Sequence, residues 1–358
     1  MSGYDYGNAR LHAMKSRLMS RREIEALAET ESVDGLLAAL TKTDYRRHVE
    51  IALARASGMD SLMDALRQNI ISTFAKVRRY YSDEVAEVIN LALRTHDIDN
   101  LKAVLRGLSQ NLPADVIAEA LLPVGELNEP ILKELARSPG PRAAIDTLAS
   151  MRLPLAQPLM KLRAREPGAE TPAMELALEH WHYQQAQEQL ESAPDEAILL
   201  VTALEMDADL INLINVLRFV HARATGQLLR EGSDKGKNGP PLVGPGTLSF
   251  EVLRRVSDQG SMELAIEALA GSPYEEPMRK GLEDFQESGL LSVFEKKLKQ
   301  RRLRWLAGLF LKDPLGIGVI LGYLSMKTNE VANLRRIAHG INLGLGAEAI
   351  KADLEFTA

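Results

Sequence analysis

Asp97-Ile-Asp-Asn100-Leu101-Lys-Ala-Val104-Leu-Arg106 returns as Asp209-Leu-Ile-Asn212-Leu213-Ile-Asn-Val216-Leu-Arg218 and again as Glu330-Val-Ala-Asn333-Leu334-Arg335-Arg336-Ile337-Ala-His339. Each copy sets an acidic residue three positions before Asn-Leu, then an aliphatic and a cationic or imidazole side chain at fixed offsets. The asparagines are 212 − 100 = 112 and 333 − 212 = 121 residues apart. That spacing predicts one folding unit built three times.

A second set of landmarks keeps the same register. Leu40, Leu148 and Leu269 each close an apolar helical stretch and precede the motif asparagine by 60, 64 and 64 residues. Leu27, Leu135 and Val256 lie 13 residues before those leucines, and Tyr45, Leu153 and Tyr274 lie five after. The repeats are therefore expected over residues 1–120, 121–235 and 236–358. Units of roughly a hundred residues can nearly support their own cores, unlike the short repeats of solenoids.

The fold class follows from composition. Hydrophobic residues make up 46% of 358 residues but aromatics only 5%, and Leu, Ala, Glu and Arg are abundant. Strands draw on β-branched and aromatic residues, so an all-α protein is expected. Leu62, Leu66, Ile70, Phe74 and Val77, followed by Val85, Val88, Ile89 and Leu93, predict a long antiparallel helix pair, and residues 7–29 are also expected to be helical. Asn111-Leu-Pro113 ends the first motif helix. Pro- and Gly-rich stretches over 164–172 and 231–246 are expected to be loops.

Several function classes are excluded or disfavoured. A net charge of −6 argues against nucleic acid as the main partner, because phosphate neutralisation requires clustered Lys and Arg. There are no cysteines, so disulfides and thiolate metal sites are out, compatibly with a reducing cytoplasm. No secretory signal is expected at the start. The most apolar stretch, Trp305 to Met326, is interrupted by Lys312-Asp313-Pro314, and the uncharged remainder from Leu315 to Met326 is too short to span a bilayer; it predicts a buried helix.

Catalytic signatures are thin. Gly232 to Asn238 resembles a phosphate loop only superficially, with the wrong glycine spacing and Asn where a magnesium-binding hydroxyl belongs. Glu179-His180-Trp-His182 offers one Glu-x-x-His step, where a dimetal bundle needs two plus further carboxylates. The basic run Glu295 to Trp305 keeps helical apolar spacing through Phe294, Leu298, Trp305 and Leu309, which predicts a solvated face on a packed helix. No cofactor is expected. Asp97 and Asp209 are expected to cap helix N-termini, with Asn100 and Asn212 answering from the third helical position, and Thr328 or Asn329 capping in the third copy.

The opening Tyr4-Asp-Tyr6-Gly-Asn8-Ala9-Arg10-Leu-His-Ala13-Met14-Lys-Ser16-Arg-Leu18 resembles that of the C subunit of archaeal-type and bacterial V-type ATPases, called the d subunit in eukaryotic vacuolar enzymes. Asp97 to Gly107 and Glu330 to Gly340 resemble that family's internal and C-terminal motifs, while Ile214 stands in the middle copy where the others carry Lys102 and Arg335. The resemblance implies three similar helical domains around a pseudo-threefold axis, forming a funnel with a central cavity. It implies a non-catalytic rotor subunit, peripheral on the cytoplasmic face of the membrane, with the proteolipid ring on one side and the foot of the central shaft in its cavity. The partner-binding candidates are the motif residues Asp97, Asn100, Arg106, Asp209, Asn212, Arg218, Glu330, Asn333, Arg335 and Arg336. The alternatives are a helical scaffold unrelated to ATPases and, third, a helical-pocket enzyme of the isoprenoid-cyclase kind, disfavoured by the lack of a DDxxD cluster.

Overall fold

The computed structural model describes residues 3–190, 198–226 and 239–357. Those residues form eighteen helices and no strand. A first helix, α1 (Asp5–Lys15), precedes a five-helix series that occurs three times. The first series is α2 (Arg21–Leu27), α3 (Val33–Leu40), α4 (Arg46–Leu53), α5 (Gly58–Arg78) and α6 (Asp83–Ser109). After α7 (Ala114–Ala120) it returns as α8 (Glu129–Ala136), α9 (Pro141–Ser150), α10 (Ala156–Arg165), α11 (Thr171–Leu190) and α12 (Ile198–Ala224). The third series is α13 (Phe250–Ser257), α14 (Met262–Glu267), α15 (Glu275–Ser288), α16 (Ser292–Lys312) and α17 (Gly318–Asn342), and α18 (Ala347–Asp353) follows.

The opening helix of each series begins with a side-chain cap at the same place. Ser20 Oγ accepts Glu23 N at 3.3 Å while Glu23 answers to Ser20 N, a complete capping box. Asn128 Oδ1 accepts Ile131 N at 3.1 Å, and Ser249 Oγ accepts Val252 N at 3.3 Å. Each satisfies a backbone N–H that the first helical turn leaves without a partner. The other ends of α6 and α17 also match. Ile117 of α7 and Ile350 of α18 pack back onto Gly107 and Gly340, where an added Cβ would approach them to 2.5 and 2.6 Å.

Two compact units emerge. One comprises residues 1–100, 119–132 and 303–358, and the other 101–118 and 133–302. In the first, α17 lies against α1, α2, α3, α5 and α18, and α4 lies along α5. The apolar stripe of α5 is buried as its spacing predicts, with Leu62, Leu66, Ile70, Phe74 and Val77 all sequestered. In the second, α12 packs on α11, α13 and α14, and Leu213, Val216, Leu217 and Val220 of α12 join Leu253, Val256, Leu269, Met278 and Phe294 in one core.

Three expectations need correction. Residues 7–29 are two helices, α1 and α2, separated at residues 16–20. Leu315 is not part of the buried helix but 72% exposed ahead of α17, whose Val319, Ile320, Tyr323 and Leu324 are buried. The acidic motif residues do not cap helices. Asp97, Asp209 and Glu330 lie well inside α6, α12 and α17. Thr328 instead donates its hydroxyl to Leu324 O at 2.8 Å, and Asn329 donates to Glu355 O at 2.8 Å. The phosphate-loop-like segment Gly232 to Asn238, and the 231–246 linker up to residue 238, lie outside the described residues. No described helix is long and apolar enough to cross a membrane.

Candidate functional site

A buried acid and a buried amide in the middle of a helix must find hydrogen-bond partners outside that helix, because its own peptide groups are already paired. The three motifs solve this alike. Asp97, Asp209 and Asn212, and Asn333 are 0% exposed, and Asn100 and Glu330 are 3% and 4% exposed. In each copy the carboxylate accepts the N–H of the residue just before an opening-helix cap. Asp97 Oδ1 takes Leu127 N at 3.1 Å, Asp209 Oδ1 takes Leu248 N at 3.1 Å, and Glu330 Oε2 takes Met19 N at 2.6 Å. With both ends of its amide the asparagine grips the N–H and C=O of one non-helical residue, or of two adjoining ones. Asn100 accepts from Leu122 N at 2.7 Å and donates to Leu122 O at 2.8 Å; Asn333 does the same with Glu355, at 3.0 and 2.7 Å. Asn212 accepts from Val243 N at 2.8 Å and donates to Gly244 O at 2.9 Å.

The repeat is thus a backbone clamp, and its chemistry explains why Asp or Glu is followed by Asn three residues on. One helical turn separates them, so both point from the same face; in the first two copies they meet one crossing segment, residues 122–127 and 243–248, while in the third Glu330 meets Met19 and Asn333 meets Glu355. An amide side chain can accept a backbone N–H and donate to a backbone C=O at once, and a carboxylate's two oxygens can each take a backbone N–H. Close approach is permitted by glycine in two copies. A Cβ at Gly125 would lie 2.2 Å from Asp97 Oδ2, and one at Gly246 would lie 2.0 Å from Asp209 Oδ1. Where the glycine's counterpart is Arg17, the acid is Glu330, whose additional methylene supplies the reach. The recurring Gly125-Glu-Leu127-Asn128 and Gly246-Thr-Leu248-Ser249 were the sequence signal for this partner.

The clamps differ in charge. Asp97 also takes Glu126 N at 2.8 Å, and burial outweighs these N–H bonds to push its carboxyl up to about 6. Asp209 is raised by burial too, against hydrogen bonds from Thr247, Leu248 and the Tyr274 hydroxyl at 2.8 Å. Glu330 meets the Tyr45 hydroxyl at 2.8 Å and the Lys327 ammonium at 2.7 Å, with the ammonium also 4.2 Å from the Tyr45 ring centroid. Burial lowers the Lys327 pKa and the Glu330 charge opposes that shift. The landmark tyrosines Tyr45 and Tyr274 are therefore clamp members.

The remaining motif candidates separate. Arg106 forms a two-pronged pair with Glu175, at 2.5 and 2.6 Å, and Arg218 is exposed. Arg336 is tied to Glu355 Oε1 at 2.8 Å and Asn333 Oδ1 at 2.9 Å. Arg335 faces a groove of about 510 Å³ beside α18. The basic run is largely paired: Lys297 with Asp284, Lys299 with Glu295, Arg302 with Asp207, and Arg301 over the Tyr274 ring. Glu179 is bonded to Lys102 at 2.6 Å, and no group of three or more His, Cys, Asp or Glu among the described residues could hold a metal.

The motif architecture runs from one end of the chain to the other, and so does its family match: the family described as ATP synthase (C/AC39) subunit matches residues 7–353. The chain belongs to that family. It is similar to proteins named as the C subunit of A-type ATP synthases. The one from Methanosarcina barkeri is 28% identical over 99% of this chain and 93% of its own length. That of Methanosarcina mazei is 26% identical over the same shares, and that of Haloquadratum walsbyi is 26% identical over 98% of each.

Proposed function

We propose that this chain is a non-catalytic rotor subunit of an A/V-type ATP synthase, coupling the central shaft to the membrane proteolipid ring during ATP-driven or ATP-producing proton or sodium transport. Three helical domains, 1–120, 121–235 and 236–358, stand about a pseudo-threefold axis with the shaft's foot in the cavity between them. The protein sits peripherally on the cytoplasmic face and binds neither cofactor nor nucleic acid. The observation that carries the reading is the triple backbone clamp, together with family membership over nearly the whole chain. An adaptor that transmits torque must not shear between its own repeats. Buried carboxylates and amides that hold the backbone ahead of each five-helix series resist that shear without any chemistry of turnover.

The test is assembly. Tagged chain expressed with the other subunits of its ATP synthase should retain the shaft and the ring through purification, and the isolated chain should hydrolyse no ATP. Hydrolysis that tracks with the isolated chain, or an assembled complex that excludes it, refutes the proposal.

A further inference from the structure

Five residues into the motif two copies carry a cation, and the two have opposite surroundings. Lys102 is neutralised by Glu179, 2.6 Å away. Arg335 has no carboxylate partner among the described residues, and its Nε is buried without a hydrogen bond. Its charged neighbour is a second guanidinium, Arg67, whose Nε is committed to Leu121 O at 3.0 Å. Burial first and Arg67 second depress the Arg335 pKa, the signature of a cation in want of an anion. An uncompensated, largely desolvated charge destabilises the free chain.

The groove that holds Arg335 is walled by aliphatic side chains, among them Val331, Leu343, Leu345 and Ile350. Leu343 and Leu345 are 74% and 50% exposed. Arg336 and Asp353, also at the groove, lie 3.9 Å apart, and Arg336 is bonded to Glu355 as well, so Arg335 is the cation left over. A free inorganic anion gains nothing from aliphatic walls. A carboxylate carried among aliphatic side chains gains from both the walls and the guanidinium. We infer that this groove docks a segment of a neighbouring subunit presenting one Asp or Glu among aliphatic residues, with Arg335 as its counter-ion. The inference rests on the adaptor role proposed above and adds to it the chemistry of one contact.

Arg335→Lys keeps the charge and supplies an amine. Assembled into the complex and treated with a carbodiimide, that amine should form an amide with a partner carboxylate, the carbodiimide taking up the released water as its urea. Peptide mapping should place the cross-link between position 335 and an Asp or Glu of another subunit. Arg335→Met should leave the free chain's melting temperature equal or raised, yet weaken its binding to the partner subunits roughly tenfold or more, as for a buried arginine anchor. The inference is overturned if the complex assembles with no cross-link from position 335 and Arg335→Met binds as wild type. It is also overturned if inorganic phosphate alone raises the melting temperature of wild type but not of Arg335→Met while binding to the partner subunits is unchanged. A wild-type chain that joins no complex removes the adaptor reading itself, and this inference with it.

Discussion

Replacing Asn212 by leucine keeps the size and helical character of a residue with no exposed surface but removes both of its hydrogen bonds to the backbone. Val243 N–H and Gly244 C=O, both buried, then lose their partners. Each unsatisfied buried group costs about 1–3 kcal/mol, so the substitution should destabilise the chain by roughly 2–6 kcal/mol, offset by up to about 1 kcal/mol from the added apolar burial. Asn215, one turn further along α12, is the control: it donates to Pro241 O at 3.0 Å in an exposed setting, where water can replace it. Asn215→Leu should cost about 1 kcal/mol or less. Urea titration followed by circular dichroism reads both through the shift in midpoint. If Asn212→Leu and Asn215→Leu shift the midpoint equally, the clamp is not holding the chain and the reasoning fails.

Gly246→Ala would push a Cβ to 2.0 Å from Asp209 Oδ1, whereas a Cβ at Gly260 meets nothing within 4 Å; thermal melting should show a loss of about 2–3 kcal/mol for the first beyond that of the second. Glu330→Gln leaves the Lys327 ammonium buried without its counter-charge and should cost about 3–5 kcal/mol, much of it regained when Lys327→Met is added; a urea-measured cycle with no coupling would contradict the buried pair. The Asp97 carboxyl, raised to about 6 from 3.8, contributes stability that is fully present below its unfolded pKa and lost as pH rises through about 6. Wild type relative to Asp97→Asn should therefore lose about 3 kcal/mol in all between pH well below 3.8 and pH well above 6, from 1.36 kcal/mol per pKa unit, and about 2.4 kcal/mol of that between pH 4 and pH 7; a difference that is flat in pH, measured by urea unfolding, would show that burial does not govern this carboxyl.

The helical class, the long helices α5 and α6 and the three-fold register were legible because they depend on residues close in sequence. The stripe Leu62 to Val77 needs no knowledge of what it packs against to reveal its period. The work of Asp97 and Asn100 was hidden for the opposite reason. Their partners lie 22 to 30 residues downstream, and Glu330 reaches Met19, 311 residues away. Local sequence offered a sufficient alternative, since Asp with Asn three residues later also suits a helix cap. The break between α1 and α2 leaves no mark in the apolar pattern, because Leu11, Met14, Leu18, Ile24 and Leu27 stay near helical spacing across it. Adjacent Arg335 and Arg336 look equivalent in sequence. They are separated only by Glu355, which folds back to neutralise one of them.

Hydrogen exchange at the Met19, Leu127 and Leu248 amides tests most directly whether the three motifs are equivalent clamps. These residues belong to no helix, yet each N–H is held by a buried carboxylate. The account predicts that all three are protected on the order of a thousandfold or more, close to the slowest core amides of the unit that contains each. Exchange at the rate of exposed loop amides, at any one of the three, would contradict it.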